Sequence, residues 1–217
     1  YVLRLNGIYE RNLANRKVDL LRGHATLAAP HVLQVGERRI SARHVVIATG
    51  GRPHLPAIPG AQLGLTSDGF FELETQPRRV AIVGSGYIAV ELAGVFLALG
   101  SATTLVIRTQ QVLRHFDAML GDGLLAVMRA EGATITTDAV PAALHADADG
   151  ARWLETAAGE RLGPFDAVIW AIGRDPLSAG LGLEAAGITL DAAGFVQVDR
   201  LQQTSLAQHY AIGDVTG

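Results

Sequence analysis

The chain has 217 residues, of which 49% are hydrophobic, and a formal net charge of −3. This length and hydrophobic content are sufficient for one or two domains with buried cores. The lack of a basic excess argues against nucleic-acid binding. No apolar run is long enough to span a membrane, and no signal-peptide pattern opens the sequence, so we expect a cytoplasmic protein.

The first part of the chain predicts one helix followed by short strands. Apolar residues at helical spacing predict an amphipathic helix over residues 2–14. Short apolar runs between turn residues predict strands, and the last of these runs, which is unbroken, predicts a buried strand. The strands are expected at residues 18–21, 24–27, 32–35, 39–40 and 45–48. Prolines and glycines crowd residues 52–60, which is typical of a linker, so we place a domain boundary after residue 51.

A strand and a long helix are predicted in the middle of the chain. Ser67 and Asp68 are expected to cap a short turn over residues 69–73. An apolar run predicts a strand over residues 80–83, and a helix pattern follows it over residues 86–99, with Gly100 after its end. The apolar face of that helix is expected to hold Ile88, Leu92, Val95, Phe96 and Leu99.

Further strands and a second long helix complete this alternating pattern. Strands are predicted at residues 103–107, 134–136, 166–171 and 210–212. A helix capped by Asp117 lies between the first two. Short alternating runs in residues 139–165 predict an antiparallel meander. The order of elements predicts an α/β fold, in which a doubly wound, Rossmann-like domain carries an antiparallel β-meander.

A glycine turn separates the strand at residues 80–83 from the helix that follows it. Gly84 permits a tight turn, Gly86 lets the backbone approach a phosphate, and Ala89 is the third small residue of the pattern. The helix N-terminus supplies free N–H groups and the positive end of the helix dipole. These features favour a dinucleotide pyrophosphate, although glycine turns after strands also occur in proteins that bind none.

The end of the next strand indicates which dinucleotide would bind. Right-handed crossovers bring the strand ends, and with them Gly84, Arg108 and Gly173, to one ligand crevice. An NAD site has a carboxylate where Ile107 stands in this chain, and Arg108 and Arg114 follow instead. Two cations without a carboxylate suit the 2′-phosphate of NADP. The alternative is a pair of solvated surface arginines.

These residues resemble the NADPH-binding fingerprint of the flavin-dependent disulfide reductases, and in particular of their glutathione reductase branch. The match extends over essentially all 217 residues, with the motifs in the order that the family shows. They are Ala-Thr-Gly-Gly-Arg-Pro at 48–53, Ser-Asp-Gly-Phe-Phe at 67–71, Gly-Ser-Gly-Tyr-Ile-Ala-Val-Glu-Leu-Ala-Gly at 84–94, Ile-Arg at 107–108, Val-Leu-Arg-His-Phe-Asp at 112–117, Trp-Ala-Ile-Gly-Arg at 170–174 and Tyr-Ala-Ile-Gly-Asp at 210–214.

The resemblance implies a reaction in which NADPH delivers hydride to FAD, the flavin reduces a cysteine pair, and the dithiol reduces glutathione disulfide. Tyr87 would be an aromatic lid over the nicotinamide pocket, and Glu91 would pair with a lysine beside the flavin. The NADP-binding residues would be Gly84, Gly86, Tyr87, Ile88, Ala89, Glu91, Arg108, Arg114, Gly173 and Arg174. The FAD-binding residues would be Thr49, Gly50 and Asp214.

Each of these roles has a purely structural alternative. Tyr87 would then be a packing residue at a helix start, Glu91 a solvated helix glutamate, and Asp214 a turn residue after a strand. None of the seven histidines clusters in sequence with a second metal ligand or base, so no metal site is expected. His115 is expected to be an ordinary loop residue.

The resemblance also implies a division of the chain. Residues 1–51 match part of an FAD-binding domain, residues 52–176 an NADPH-binding domain, and residues 177–217 the return to the FAD-binding domain. The strands at 45–48 and 210–212 would be neighbours in one sheet. The family's N-terminal FAD motif, cysteine pair and C-terminal dimerisation domain have no counterpart in this sequence. We therefore expect an internal piece of a longer homodimeric enzyme, inactive by itself, and leave open whether the piece retains FAD.

Other interpretations stay open at this point. A related disulfide reductase with another substrate, of the mercuric or trypanothione reductase type, would share these motifs. A nucleotide-binding module without redox chemistry is a further alternative. Such a module would need none of Tyr87, Glu91 and Arg174, so the presence of all three argues against this alternative. Dihydrolipoamide dehydrogenase is disfavoured because Ile107 replaces the acid of an NAD site. Only one of the 18 lysines and arginines is a lysine, and alanine and glycine are abundant. This composition is typical of a GC-rich bacterial genome.

Overall fold

The computed structural model describes residues 2–217. These residues divide into two compact units. The central unit is Arg52–Asp175, and the split unit combines the described residues up to Gly51 with Pro176–Gly217. No helix in the described part of the chain combines the length and the apolarity that are needed to cross a membrane.

The N-terminal part of the split unit contains one helix and a series of short strands. They are α1 (Val2–Asn15), β1 (Ala25–Ala29), β2 (Val32–Val35), β3 (Arg38–Ser41) and β4 (Val45–Ile47). β1, β2 and β3 form an antiparallel sheet in that order. The sequence predicts this helix and these strands, and the structure confirms them within two residues at each end.

The strand predicted at residues 18–21 is wrong. These residues follow α1 as an irregular segment, and Lys17 turns the chain with a φ of 56°. Val18 and Leu20 are each 50% exposed, and no strand of the described chain pairs with them. An apolar run forms a strand only where a partner satisfies its backbone hydrogen bonds, and a local pattern does not reveal that partner.

The chain enters the central unit through β5 (Gly51–Pro53) and leaves it through β14 (Arg174–Pro176), and these two strands pair. Between them come the 3-10 helix Ala61–Leu63, β6 (Leu65–Thr66), α2 (Ser67–Phe71), β7 (Arg79–Val83), α3 (Tyr87–Ala98), β8 (Ala102–Val106), α4 (Ala118–Ala130), β9 (Thr134–Thr136), β10 (Pro141–Ala146), β11 (Arg152–Thr156), β12 (Arg161–Phe165) and β13 (Ala167–Trp170). β10, β11 and β12 form the predicted antiparallel meander.

The parallel sheet of the central unit confirms the predicted doubly wound fold. Its strand order is β6-β13-β7-β8-β9, and all of its pairings are parallel. β7 lies in the middle, with β8 on one side and β13 on the other. One face of the sheet packs against α3 and α4, and the other packs against the meander. β13, and β7 after Arg79, are continuous apolar runs because both faces of the sheet are covered.

The buried face of α3 differs from the predicted one. The helix buries Ala89, Leu92, Ala93 and Phe96. Ile88 is partly buried, whereas Val95 and Leu99 are 41% and 59% exposed. The two alanines let the helix lie close to the sheet, so the contact face is centred on them rather than on the large side chains that dominate the apolar pattern.

The ends of the helices follow local signals only in part. α2 begins at Ser67, and its N-cap residue is Thr66, whose side chain makes no capping hydrogen bond. The prediction that Ser67 and Asp68 cap this segment is therefore wrong. Gly100 follows α3 as predicted, with a φ of 83°, and its N–H donates to the carbonyl of Leu97 at 2.9 Å.

Asp117 caps α4 as predicted, because its Oδ1 accepts a hydrogen bond from the backbone N–H of Met119 at 2.9 Å. We expect Asp117→Ala to lower the free energy of unfolding by about 1 kcal/mol, since that N–H loses its partner. Thermal denaturation should show a melting temperature about 2–4 °C lower. Asp117→Asn keeps an acceptor at the same place and should melt with the wild type; an equal loss in both variants would contradict the capping role.

Asp166 ties the beginning of β7 to the beginning of β13. Its carboxylate accepts hydrogen bonds from the side chain of Arg79 at 2.7 Å and from the backbone N–H groups of Arg78 at 3.0 Å and Arg79 at 2.8 Å. The side-chain hydrogen bond from Arg79 is the main reason that the pKa of Asp166 lies below its ordinary value, and it outweighs the opposing effect of burial.

A pH-dependent contribution to stability follows from Asp166. Because its native pKa lies below that of the unfolded chain, its carboxylate stabilises the fold above the unfolded pKa, and this contribution is lost as the pH falls through the native pKa. We expect Asp166→Asn to be less stable than the wild type at pH 7, and the difference to shrink below about pH 4. Urea denaturation over a series of pH values measures this, and a difference independent of pH would contradict it.

The split unit is completed by residues after the central unit. β15 (His209–Ala211) pairs in parallel with β4, which confirms that the two strands are neighbours, and the 3-10 helix Gly213–Val215 follows it. β4 is not buried throughout, since Val46 is 57% exposed between two buried residues. The core of this unit consists of Leu27, Ile47, Leu183, Ala186, Ile188, Val196, Ala211 and Val215.

Candidate functional site

A cleft of about 630 Å³ lies in the central unit, at the carboxyl ends of β7, β8 and β13. Its lining includes the glycine turn after β7, the loop after β8 and the residues that follow β13. Ligands of open, doubly wound sheets bind at this edge. The cleft brings together Gly84, Arg108 and Gly173, which the sequence assigns to one ligand crevice.

Gly84 is required by the fold. Its φ of 140° is a conformation that residues with side chains rarely adopt. A Cβ atom at this position would overlap the carbonyl oxygen of Ala171, which follows β13. The N–H of Gly84 donates to the carbonyl of Val106 at 3.0 Å. A glycine here therefore allows the ends of three adjacent strands to converge at the cleft.

Gly86 is not required by the packing of the protein itself. It is the N-cap residue of α3, with an ordinary φ of −82° and no side-chain capping hydrogen bond. A Cβ atom at Gly86 would meet no atom of the described chain within 4 Å, its immediate neighbours in sequence aside. The N–H groups in the first turn of a helix have no intrahelical partners, and the helix dipole adds partial positive charge. This open helix N-terminus in the cleft fits a phosphate group.

The loop after β8 presents two arginines to the cleft from an anchored backbone. Val112 is buried, and the N–H of Leu113 donates to the carbonyl of Ser85 in the glycine turn at 2.7 Å. Arg108 and Arg114, on either side of this anchor, both line the cleft with exposed side chains. Within residues 2–217, neither arginine has an ion pair or a side-chain hydrogen bond.

The lining of the cleft is cationic. Arg108, Arg114 and Arg174 line it, and none of the described residues contributes a carboxylate to it. Ile107, which stands where an NAD site has its acid, is fully buried. Arg108 and Arg114, which have no carboxylate beside them in the cleft lining, favour an anion with several charges, because each can donate charge-assisted hydrogen bonds.

The structure separates the predicted NADP-binding residues into two groups. Eight of them line the cleft: Gly84, Gly86, Tyr87, Ile88, Arg108, Arg114, Gly173 and Arg174. Ala89 is fully buried on the sheet-facing side of α3, where its small side chain permits close contact with the sheet. Glu91 is exposed one turn after Tyr87 and does not line the cleft. Tyr87 itself is 55% exposed, so its ring is available to a ligand.

The predicted FAD-binding residues lie in the split unit. Thr49 and Gly50 follow β4, and Asp214 belongs to the 3-10 helix after β15. Because Ile47 pairs with Ala211 in parallel register, both segments leave the sheet at the same edge. Sequence-distant residues thus meet at the carboxyl ends of adjacent parallel strands, as the cleft residues of the central unit do.

Two of these three residues are hydrogen-bonded to Leu177, and the third is exposed. The hydroxyl of Thr49 donates to the carbonyl of Leu177 at 2.7 Å, and the carbonyl of Gly50 accepts from the N–H of Leu177 at 2.9 Å. Asp214 is exposed and offers a carboxylate acceptor. A smaller pocket of about 130 Å³ in this unit is lined by Thr49 but not by Gly50 or Asp214.

Sequence reasoning missed several residues of the cleft. Among them are His54, Pro56, Ser85, Leu113, Phe116, Val140 and Pro141. His115, expected to be an ordinary loop residue, lies in a loop but also lines the cleft. Proximity to the arginines was a usable signal for His115 and Phe116, whereas no local pattern connects the start of the meander to the sheet edge. The described residues contain no group of three or more histidines or carboxylates that could hold a metal ion.

Fold and cleft together define a Rossmann-like α/β protein with a cationic cleft at the carboxyl ends of its central strands. The chain belongs to the pyridine nucleotide-disulphide oxidoreductase family, whose sequence model matches residues 1–217. The resemblance to the flavin-dependent disulfide reductases is thereby confirmed. A family of flavoprotein disulfide reductases implies FAD and a nicotinamide nucleotide as cofactors.

Similar proteins are also disulfide reductases. Over the whole chain, the sequence is 44% identical to a glutathione reductase of Yarrowia lipolytica, of which it covers 49%, and 42% identical to one of Schizosaccharomyces pombe, of which it covers 48%. Among solved structures, the HOCl-induced flavoprotein disulfide reductase RclA from Escherichia coli superposes with a TM-score of 0.91 at 29% identity, and its Cu(II) complex with a TM-score of 0.90 at 30% identity. The chain spans about half the length of these relatives.

Proposed function

We propose that this chain is the NADPH-binding part of a glutathione-reductase-like flavoenzyme that passes hydride from NADPH to FAD and on to glutathione disulfide. Residues 52–176 would bind NADPH, and residues 1–51 and 177–217 would belong to the FAD-binding domain. The observation that carries the proposal is the pair Arg108 and Arg114, which line the cleft without a carboxylate partner beside a glycine turn open to phosphate.

The two arginines bear on the choice between NADP and NAD. The pyrophosphate would lie at the N-terminus of α3 beside Gly86, and the adenosine would extend over the end of β8. Its 2′-phosphate would then reach Arg108 and Arg114, whereas a site for NAD would carry an acid in place of Ile107. Gly173, Arg174 and the other half of the nucleotide would lie toward β13.

Thr49, Gly50 and Asp214 would hold FAD, Asp214 by accepting hydrogen bonds from hydroxyl groups of the cofactor. When bound, FAD supplies the redox chemistry that couples a hydride donor to a disulfide. Tyr87, exposed at the cleft, would cover the nicotinamide pocket until NADPH enters. Glu91, exposed one turn later on α3, would pair with a lysine from elsewhere in the enzyme. The names of the two fungal relatives support glutathione disulfide as the substrate. The intact enzyme would be a homodimer, as the resemblance implies.

The nucleotide assignment can be tested with half-ligands. Adenosine 2′,5′-bisphosphate carries the 2′-phosphate of NADP, and adenosine 5′-monophosphate lacks it. We expect the bisphosphate to bind the 217-residue chain at least about tenfold more tightly in isothermal titration calorimetry, because the second phosphate adds charge-assisted hydrogen bonds. Equal affinities would show that the arginines do not read the 2′-phosphate.

The substrate requires a separate test on the complete gene product. We expect NADPH consumption to depend on glutathione disulfide, with trypanothione disulfide and Hg(II) as much poorer acceptors. Preference for either of these over glutathione disulfide would favour the related reductases with another substrate, and would leave the nucleotide assignment intact.

A further inference from the structure

We propose that His54, oriented by Asp175, contacts the nicotinamide-nucleoside half of the bound dinucleotide. This inference rests on the proposed function, since it presupposes that the cleft binds NADPH. Neither residue belongs to the glycine turn or to the arginine loop, and together they would form a second anchoring point at the opposite end of the ligand.

The two side chains form a defined pair within the central unit. Nδ1 of His54 lies 2.9 Å from Oδ1 of Asp175, and Nε of Arg52 lies 3.9 Å from Oδ2 of the same carboxylate. An ionised carboxylate only accepts hydrogen bonds, so Nδ1 of His54 carries the hydrogen of this contact. The other ring nitrogen, Nε2, has no hydrogen bond within residues 2–217.

Backbone contacts hold His54 beside the cleft. Its N–H donates to the carbonyl of Gly173 at 2.9 Å, which fixes it next to the segment that follows β13. His54 itself lines the cleft, and its side chain is 46% exposed. A residue that is fixed at the backbone, oriented by a carboxylate and still accessible is arranged to contact a ligand with Nε2.

The sheet order identifies which part of the dinucleotide lies near His54. β7 is flanked by β8 on one side and β13 on the other. The pyrophosphate lies at the glycine turn after β7 and the adenosine over β8, so the remaining half of the nucleotide extends over the end of β13. Gly173 and His54 are at that end. The groups available there are the hydroxyls of the nicotinamide ribose and the carboxamide of the nicotinamide.

The chemistry of an oriented imidazole suits these groups. With Nδ1 engaged by Asp175, a neutral ring presents Nε2 as an acceptor for a ribose hydroxyl or an amide N–H, and a protonated ring presents it as a donor to a hydroxyl or carbonyl oxygen. Because Asp175 fixes the ring before the ligand arrives, less side-chain freedom is lost on binding. His54 is thus expected to add affinity for the nicotinamide half without affecting the adenosine half.

The test compares NADPH with adenosine 2′,5′-bisphosphate, which lacks the nicotinamide half, by calorimetry on the 217-residue chain. We expect His54→Ala to weaken NADPH binding about three- to tenfold, the effect of one lost hydrogen bond, and to leave the bisphosphate unchanged. His54→Asn keeps a donor near the position of Nδ1 but lacks Nε2, and should be as defective as His54→Ala.

The control is His145→Ala. His145 also pairs with a carboxylate, that of Glu155 at 3.1 Å, and it is similarly exposed at 53%, but it does not line the cleft. This variant should bind both ligands like the wild type.

Asp175 is a positioning residue, and its variants separate orientation from folding. Asp175→Asn retains an oxygen that accepts from Nδ1 and should keep most of the NADPH affinity, whereas the NADPH affinity of Asp175→Leu should approach that of His54→Ala.

A parallel loss of affinity for NADPH and for the bisphosphate in the His54 variants, or no loss of affinity for either, would overturn the inference. If the wild type bound neither ligand, the proposed function would fail as well, so the two failures are distinguishable.

Discussion

The double variant Arg108→Ala/Arg114→Ala should lose its preference for NADPH over NADH. Each arginine is expected to donate charge-assisted hydrogen bonds to the 2′-phosphate, and such bonds contribute about 1.5–3 kcal/mol each. Single variants should therefore bind NADPH about ten- to a hundredfold more weakly, and the double variant more weakly still. NADH lacks the phosphate, so its affinity should change by less than about threefold, the effect of altered long-range charge alone.

The control for this experiment is Arg129→Ala. Arg129 lies in the last turn of α4 in the same unit, and it does not line the cleft. Its removal changes the net charge by the same amount as either single variant. We expect NADPH affinity to be unchanged in Arg129→Ala; a loss equal to that in Arg108→Ala would mean that overall charge, rather than contact with the 2′-phosphate, governs binding.

Alanine substitutions at the two glycines of the turn should affect different properties: Gly84→Ala the stability of the fold, and Gly86→Ala the binding of the ligand. Gly84→Ala places a Cβ atom against the backbone of Ala171 and forces alanine into a φ of 140°. Backbone strain and overpacking of this kind each cost about 1–3 kcal/mol, so we expect a loss of about 3–5 kcal/mol in the free energy of unfolding. Thermal denaturation should show a drop of about 10 °C or more.

Gly86→Ala should instead affect the ligand. Alanine fits the φ of −82° and meets no other part of the described chain, so the loss of stability should be about 1 kcal/mol or less, the effect of a poorer N-cap. NADPH affinity should fall about tenfold or more, because the methyl group separates the helix N-terminus from the pyrophosphate. A Gly84→Ala protein as stable as the wild type, or full NADPH affinity in Gly86→Ala, would contradict these roles.

The parts of the fold that could be predicted from the sequence are those fixed by local chemistry. β13, and β7 after Arg79, are continuous apolar runs because both faces of the sheet are covered, and this pattern is typical of a buried parallel strand. Gly84 and Gly86 were identified because only glycine combines a tight turn with close approach of a ligand. The spacing of Arg108 and Arg114 after β8 was similarly informative, since a strand end in this fold leads directly to the ligand edge.

The features that escaped prediction depend on contacts between distant parts of the chain. The buried face of α3 is centred on Ala89 and Ala93, because close packing against the sheet favours small residues that an apolar pattern undervalues. The residues at 18–21 have strand-like composition but no partner strand. His54 and Asp175 are 121 positions apart and meet only because β5 and β14 pair at the edge of the central unit.

The measurement that tests the central claim most directly is calorimetric titration of the 217-residue chain with NADPH and, in parallel, with NADH. If Arg108 and Arg114 receive the 2′-phosphate, NADPH should bind at least about tenfold more tightly at low ionic strength, and added salt should reduce this preference. Equal affinities for the two nucleotides would contradict the assignment of the cleft as an NADPH site.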